Sequence, residues 1–202
     1  NCNIGAELAS EHKGRATSAV TLRNNFIYSN TEVGIVLGGY DSQRGRTERC
    51  SIINNSLYNN DTNHSGSGEL LVQYDTRYNI IKNNIFYANA QKIFFSSWSA
   101  VMAGNQVDNN LFFVAGGAGS WQWKNISYDT FEAYKAGTGN DLHSLNQKNP
   151  LFVSASGFNL HLLSTSPAIN RGANLSQAGT LDFDGQPRKQ GTFIDLGADE
   201  VR

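Results

Sequence analysis

Short stretches in which apolar and polar residues alternate recur along the first 125 residues, and each copy is interrupted by a pair of asparagines. Four copies occupy residues 20–28, 51–58, 80–87 and 106–113. The first asparagine of the pair falls at Asn24, Asn54, Asn83 and Asn109, so the repeat advances by 30, 29 and 26 residues. Alternation on both sides of a bend predicts two short strands, and a period near thirty residues predicts a solenoid.

A third apolar run follows each asparagine pair, at residues 34–39, 69–74, 92–97 and 121–123, and residues 5–10 fit an earlier coil without the asparagine corner. The pattern predicts an all-β parallel β-helix with three short strands in each coil. Alternation places one set of side chains inside the coils, namely Ile35, Leu37, Leu70, Val72, Ile93 and Phe95. The set expected outside comprises Val36, Leu71, Gln73, Phe94 and Ser96.

Asparagine suits the corner between two strands because it adopts left-handed backbone angles more easily than other residues that carry a β-carbon. Stacked asparagines can also hydrogen-bond from coil to coil and satisfy their own amides. The competing interpretation is a chance excess of asparagine in unrelated loops. The flanking apolar pattern repeats together with the pair, which favours the stacked corner.

The repeat stops near Trp123, and the remaining residues contain short apolar runs and turns without a period. We therefore divide one continuous domain into coils at residues 1–125 and a non-repeating C-terminal cap at residues 126–202, packed on the last coil. Asp129 and Glu132 predict a capping box that opens a short helix ending near Gly137. The chain opens within a coil, so we expect further coils or a second chain to cover that N-terminal edge.

The composition favours a polar β-protein and excludes several partners. Charged residues make up 16% of the 202 positions and the net charge is −1, with no basic block to attract nucleic acid. No apolar stretch is long enough to span a membrane. The two cysteines, Cys2 and Cys50, fall at different phases of the repeat, and we expect them to be unpaired.

The C-terminal third carries a series of short motifs that resembles a known family. They are Asn-Pro-Leu-Phe at 149–152, Phe-Asn-Leu-His-Leu at 158–162, Ser-Pro-Ala-Ile-Asn at 166–170, Asp-Gly-Gln-Pro-Arg at 184–188 and Asp-Leu-Gly-Ala-Asp-Glu at 195–200. Together with the asparagine repeats, they resemble bacterial right-handed parallel β-helix repeat proteins of the pectate-lyase-like superfamily with a choice-of-anchor-type end. The resemblance implies a right-handed helix, a longer protein and a secreted or cell-surface location. Members of this family include polysaccharide lyases, epimerases and glycoside hydrolases.

Polar residues collect where the third strand of each coil ends, and this outer wall is the candidate site. The expected catalytic residues are Glu11, His12, Asp41, Arg44, Asp75 and Arg77, and the expected substrate-binding residues are Tyr40, Glu69, Gln73, Tyr74 and Trp98. Cations neutralise the carboxylate of an acidic sugar, a base removes the proton at C5, and an aromatic ring stacks on the sugar. Two carboxylates at a suitable separation could instead hydrolyse a glycosidic bond.

These residues leave several functions open. The expected partner is a polysaccharide, bound by a lyase, by a hydrolase or by a non-catalytic glycan-binding or display module. The remaining alternative is that the chain is a structural fragment of a larger solenoid and that these are solvated turn residues. No cofactor is required and no cysteine–histidine set has zinc spacing. Ca²⁺ is compatible with the carboxylates, and Asp182-Phe-Asp184-Gly185 resembles either a short Ca²⁺ loop or a plain turn.

Overall fold

The computed structural model describes residues 2–202 and contains four successive coils, each built from four short strands. The first coil has β1 (Ile4–Leu8), β2 (Ala16–Ser18), β3 (Thr21–Arg23) and β4 (Phe26–Tyr28). The second has β5 (Val33–Leu37), β6 (Arg46–Glu48), β7 (Ser51–Ile53) and β8 (Ser56–Tyr58). The third has β9 (Leu70–Val72), β10 (Thr76–Arg77), β11 (Ile80–Lys82) and β12 (Ile85–Ala88), and the fourth has β13 (Ile93–Ser97), β14 (Met102–Ala103), β15 (Gln106–Asp108) and β16 (Leu111–Val114).

Equivalent strands of successive coils pair in parallel and form four walls. Sheet 1 joins β1, β5, β9 and β13, and sheet 2 joins β2, β6, β10 and β14. Sheets 3 and 4 contain the strands on either side of the asparagine pair. The expected all-β parallel β-helix is confirmed. Sheet 2 is an addition to the expected three strands per coil, because the polar segment after each sheet 1 strand ends in two or three paired residues.

The interior of the coils is a continuous apolar core. Ile35, Leu37, Leu70 and Val72 lie in it as expected. Phe94 was expected outside but is fully buried in the core, because the register of β13 shifts between Ile93 and Phe95. Ile93 is consequently only half-buried. Val36 and Leu71 stay out of the central core but form a small buried cluster of their own with Val33.

The asparagine pairs turn the corner between sheets 3 and 4, and the stacked-corner prediction is confirmed. The first asparagine of every pair has φ between 51° and 59°, in the left-handed region. The second asparagines form a ladder in which each side-chain Nδ2 donates to Oδ1 of the next coil. Its distances are 2.9 Å for Asn25 to Asn55, 3.0 Å for Asn55 to Asn84 and 3.2 Å for Asn84 to Asn110.

A carboxylate ends this ladder above the last coil. Nδ2 of Asn110 donates to Oδ1 of Asp141 at 2.9 Å, and the Tyr134 hydroxyl donates to Oδ2 at 2.9 Å. Burial raises the pKa of Asp141 to about 6. Every asparagine in the column donates upward, so the last position needs a pure acceptor, and a carboxylate supplies it.

The segment after the fourth coil closes the top of the core. It contains β17 (Ser120–Trp123), β18 (Ile126–Tyr128), helix α1 (Phe131–Thr138) and β19 (Leu145–Asn146). Phe131 and Tyr134 of α1 pack against the core of the last coil. The N-cap of the helix is Thr130, not Asp129, since the Thr130 hydroxyl accepts from the Ala133 amide at 3.1 Å. The helix ends at Thr138 and is capped by Gly139, whose φ of 71° is the left-handed C-cap conformation.

The final part of the chain, residues 152–202, lies along the side of the coils instead of on the last coil, where it was expected. We call it the C-terminal segment. It contains β20 (Phe152–Ser154), β21 (Asn159–Leu162) and two short 3₁₀ helices, Ala155–Gly157 and Ser176–Ala178. The first asparagine of three pairs holds it through side-chain Nδ2 groups. Asn83 donates to the Ala173 carbonyl, Asn54 to the Asp195 carbonyl and Asn24 to the Leu181 carbonyl, at 2.9, 2.9 and 2.6 Å.

Three of the four asparagine pairs, those that begin at Asn24, Asn54 and Asn83, therefore have two roles. The second residue stacks along the helix axis, and the first residue fixes the C-terminal segment across the coils.

Both cysteines are free, as expected, with Cys2 exposed and Cys50 buried. Within residues 2–202, no helix has the length and apolar character needed to traverse a lipid bilayer.

Candidate functional site

A cleft of about 240 Å³ opens where sheet 2 begins, between three separate segments of the chain. Its lining residues are Lys13, Gly14, Arg15, Ser42, Arg44, Gly45, Arg46, Tyr74 and Asp75. The Gly45 amide donates to the Ser10 carbonyl and the Arg46 amide to the Arg15 carbonyl, at 2.8 and 3.0 Å. A β-carbon at Gly45 would lie 2.5 Å from the Arg15 carbonyl oxygen, so glycine permits the close approach of the two coils.

The wall around this cleft carries an excess of positive charge. We call residues 11–18, 40–49 and 74–77 the charged wall; it contains six Lys and Arg residues and four Asp and Glu residues. The whole chain has a net charge of −1, so cations are concentrated here. A local positive field of this kind attracts anionic ligands.

Ion pairs fix several of these cations. Arg44 lies 3.3 Å from Glu11, and Arg77 holds Asp75 through both carboxylate oxygens. Arg46 lies 2.7 Å from Glu48 and lowers the pKa of that carboxyl. Among residues 2–202, neither Lys13 nor Arg15 has a carboxylate within ion-pair distance. These two side chains are the cations most available to a ligand.

The structure brings together part of the expected site. Arg44, Tyr74 and Asp75 line the cleft directly, whereas Glu11 and Arg77 reach it through their ion pairs. Asp41 instead shapes the loop, because its Oδ1 accepts from the Gln43 amide at 2.8 Å. Three of the expected site residues therefore share one cleft, and their functional roles remain predictions.

The other expected residues lie outside the cleft lining. His12 is an exposed residue whose carbonyl accepts from the Arg15 amide. Tyr40 is 71% exposed at the tip of the neighbouring loop. Trp98 is half-exposed on the fourth coil, one coil beyond Tyr74, with its Nε1 donating to the Ser96 hydroxyl at 3.1 Å. Gln73 is 7% exposed, which leaves little of it for a substrate to contact.

Glu69 was expected to bind substrate, and its position contradicts this. It is fully buried within the coils, where its Oε2 accepts from Nδ2 of Asn60 at 2.6 Å and its Oε1 from the Asn60 amide at 3.0 Å. Asn60 in turn accepts from Nδ2 of Asn30 at 2.8 Å. Glu69 therefore ends a second asparagine ladder, as Asp141 ends the first. Sequence position beside the wall gave no sign that the side chain turns inward.

Burial gives Glu69 a measurable pH signature. Desolvation raises its pKa from 4.5 to about 8, so the folded protein keeps a proton that the unfolded chain releases. The free energy of unfolding should fall as pH rises from 6.5 to 8, at up to about 1 kcal/mol per pH unit. Chemical unfolding of Glu69→Gln over the same range should give a clearly smaller slope. Equal slopes for the two proteins would show that Glu69 is ionised throughout.

Three cationic lining residues were not expected, namely Lys13, Arg15 and Arg46. The expected wall was built from the ends of sheet 1 strands. Sheet 2 was absent from the prediction, so the residues leading into β2 and β6 had no assigned neighbours. The available signal was the cluster of basic residues at 44, 46 and 49, facing the pair at 13 and 15.

Three larger clefts flank the C-terminal segment, and each is lined by fewer Lys and Arg residues than the cleft of the charged wall. The first, of about 410 Å³, lies between residues 174–180 and 187–194, the second, of about 630 Å³, lies beside Asn109 and Phe193, and the third, of about 270 Å³, lies beside Asp195 and Glu200. Asp182 has the geometry of a plain turn. Its Oδ1 accepts from the amides of Asp184 and Gln186, and its Oδ2 accepts from the Glu200 amide.

Parallel coils and stacked asparagine corners together define a parallel β-helix. Residues 1–132 match the family model described as a right handed beta helix region, so the chain belongs to that family. It is similar to a protein of Bacillus subtilis (strain 168) described as uncharacterized protein YwoF, with 38% identity over 167 residues. The match covers 82% of this chain and 36% of that protein, so the chain spans about a third of its relative's length.

Proposed function

We propose that the charged wall binds an acidic polysaccharide, with sugar carboxylates in the cleft beside Lys13 and Arg15. The observation that carries this proposal is the pair of cations without carboxylate partners in a cleft lined by two further arginines. Exposed cations attract carboxylates, and the arginine fork also matches carboxylate geometry. Tyr74 offers a ring beside these charges. A secreted or cell-surface location, where such polymers occur, belongs to the same proposal.

The resemblance to pectate-lyase-like and choice-of-anchor-type proteins supports the same class of ligand. An elongated solenoid wall suits a polymer, since successive coils present equivalent positions along its length. Glu11 and Arg77, which pair with the lining residues Arg44 and Asp75, continue the charged surface beyond the cleft. Binding would therefore extend over several sugar units.

A polysaccharide lyase is the catalytic form of this proposal. In such a reaction, a base removes the proton at C5 of a uronate, the bond from C4 to the leaving oxygen breaks, and a C4–C5 double bond forms. The leaving oxygen takes a proton from solvent water. Cations favour the step by stabilising charge that develops on the carboxylate. Asp75 lines the cleft and is the candidate base, with Ca²⁺ as an optional further cation.

Hydrolysis has weaker support, because it requires two cooperating carboxyl groups. Of the described residues that line the cleft, one, Asp75, carries a carboxylate. Glu11 lies outside the lining and is paired with Arg44. We therefore favour binding or β-elimination over hydrolysis.

The double variant Lys13→Ala/Arg15→Ala should bind polygalacturonate at least tenfold more weakly than the unaltered chain. Isothermal titration at low and high salt measures this effect, and the affinity of the unaltered chain should fall as salt screens the charges. Lys148→Ala removes an exposed lysine outside the wall and should leave binding unchanged. Dextran, which is neutral, should not bind at this cleft.

Equal affinity of the double variant and the unaltered chain would show that the polysaccharide does not bind in this cleft. The same samples, with and without Ca²⁺, can be followed by the absorbance of unsaturated sugars. Absorbance that rises with the unaltered chain and disappears with Asp75→Asn supports the lyase. Binding with no absorbance change in either condition supports the non-catalytic glycan-binding module.

A further inference from the structure

A second group of ligand-type side chains lies on the C-terminal segment, where it packs on the first coil. Three residues, His161, Asp184 and Asp199, each place one nitrogen or oxygen atom within 4.8 Å of the others. His161 is on β21, Asp184 follows the turn at Asp182, and Asp199 belongs to the final motif. The charged wall and its proposed ligand do not involve this group.

The protonation of His161 is constrained by its neighbour Asn159. Oδ1 of Asn159 lies 2.6 Å from Nδ1 of His161 and also accepts from the His161 backbone amide at 3.3 Å. Because this Asn159 atom accepts a hydrogen bond from the His161 backbone amide, it is the carbonyl oxygen and not the nitrogen of the side chain. A carbonyl oxygen cannot donate, so Nδ1 of His161 must carry a hydrogen. The neutral imidazole then has a lone pair on Nε2.

That lone pair faces a carboxylate. Nε2 lies 3.0 and 3.2 Å from the two oxygens of Asp184, which can only accept hydrogen bonds when ionised. Two acceptors at this distance repel each other unless a cation lies between them. A proton on Nε2 is one solution, and a metal ion is the other.

Asp199 favours the metal ion. It is 7% exposed, and its Oδ2 accepts from the Leu162 amide at 2.7 Å. Among residues 2–202, no hydrogen-bond donor reaches its Oδ1, which keeps some contact with solvent. Oδ1 is therefore open to a cation. His161 and Asp184 stay partly open, with side chains 31% and 36% exposed, so an ion can enter from solvent.

The geometry points to a divalent transition-metal site, of the zinc class, formed by Nε2 of His161 and carboxylate oxygens of Asp184 and Asp199. Imidazole with carboxylates suits zinc and its neighbours, whereas Ca²⁺ prefers oxygen ligands alone. A histidine that ligates through one nitrogen commonly donates its other N–H to a carbonyl, as Nδ1 does to Asn159. Three protein ligands leave a fourth position for water.

An ion at this position would join three parts of the C-terminal segment. It would connect β21, the turn after Asp182 and the final motif. The same region packs on the first coil, where the rings of Phe26 and Phe183 stack with centroids 4.0 Å apart, and His161 meets the Phe26 ring edge-on at 5.1 Å. The site would therefore stabilise the contact between the segment and the coils.

Titration of the chelator-treated chain with ZnCl₂, read by calorimetry and by thermal unfolding, tests the site. The unaltered chain should bind one Zn²⁺ and melt at a higher temperature when it is loaded, while CaCl₂ should produce neither effect. Asp184→Asn and His161→Gln should each weaken this binding at least tenfold. Asp184 is a partly exposed residue, so its variant tests the site without depending on a buried side chain.

The chain offers a matched control in its other histidine–aspartate contact, Nδ1 of His143 to Asp108 at 2.7 Å. Within the described part of the chain that pair has no third ligand, and so Asp108→Asn should bind Zn²⁺ as the unaltered chain does. Absence of Zn²⁺ binding by the unaltered chain would mean that Nε2 carries a proton, and it would overturn the site. Binding that is unaffected by Asp184→Asn and His161→Gln would overturn it as well.

Discussion

Replacing Asn84 with alanine should lower the free energy of unfolding by about 3–5 kcal/mol, since several buried polar groups would lose their partners at once. Nδ2 of Asn84 donates to the Ile52 carbonyl, the Lys82 carbonyl and Oδ1 of Asn110, at 2.9, 3.0 and 3.2 Å. Its Oδ1 accepts from both the amide and Nδ2 of Asn55. Denaturant unfolding followed by circular dichroism measures the loss.

Asn63→Ala is the matched control for this ladder variant. Asn63 is exposed in the loop after the second corner, so its replacement should change stability by less than about 0.5 kcal/mol. Similar small effects of both variants would mean that Asn84 is solvated and that the ladder does not form.

Replacing Arg188 with methionine should also cost about 3–5 kcal/mol, because it leaves a buried carboxylate without its partner. Arg188 and Glu200 have side chains only 2% and 1% exposed and lie 3.1 Å apart. The guanidinium also donates to the carbonyls of Ala198 and Asp199, and to Oδ1 of Asn24 on the first coil. The variant should therefore loosen the C-terminal segment from the coils as well as destabilise the whole chain.

Two measurements follow this loosening, namely the free energy of unfolding and the rate of limited proteolysis within residues 164–202. Lys189→Met changes the adjacent exposed lysine and should leave both near the values of the unaltered chain. Proteolysis of Arg188→Met at the same rate as Lys189→Met would contradict the anchoring role of Arg188.

The coils could be predicted because their physics is local and repeated. Apolar alternation and the left-handed corner at each asparagine pair recur at nearly constant spacing. Phe94 could not be placed correctly, since a register shift in one strand moves a side chain to the opposite face without any change in the pattern.

Inward-turning carboxylates were harder to predict than the coils. Glu69 and Asp141 complete ladders whose last acceptor is set by three-dimensional stacking. The path of the C-terminal segment could not be predicted from the sequence either, because it depends on contacts between Asn24 or Asn54 and residues more than 140 positions away.

The candidate cleft was only partly predicted for a related reason. Arg44, Tyr74 and Asp75 followed from the ends of sheet 1 strands. Lys13, Arg15 and Arg46 depend on how the loops of two successive coils lie against each other, which Gly45 allows. Loop positions of this kind have no repeat from which to align them.

A crystal structure of the chain bound to an oligogalacturonate would examine the stacking and the ligand together. We expect a continuous column of side-chain amides from Asn25 to Asn110, with one sugar carboxylate in hydrogen-bonding contact with Lys13 or Arg15. An oligosaccharide seated on another wall, or asparagine pairs dispersed among unrelated loops, would contradict the claim that coil stacking gathers these cations into a sugar-binding cleft.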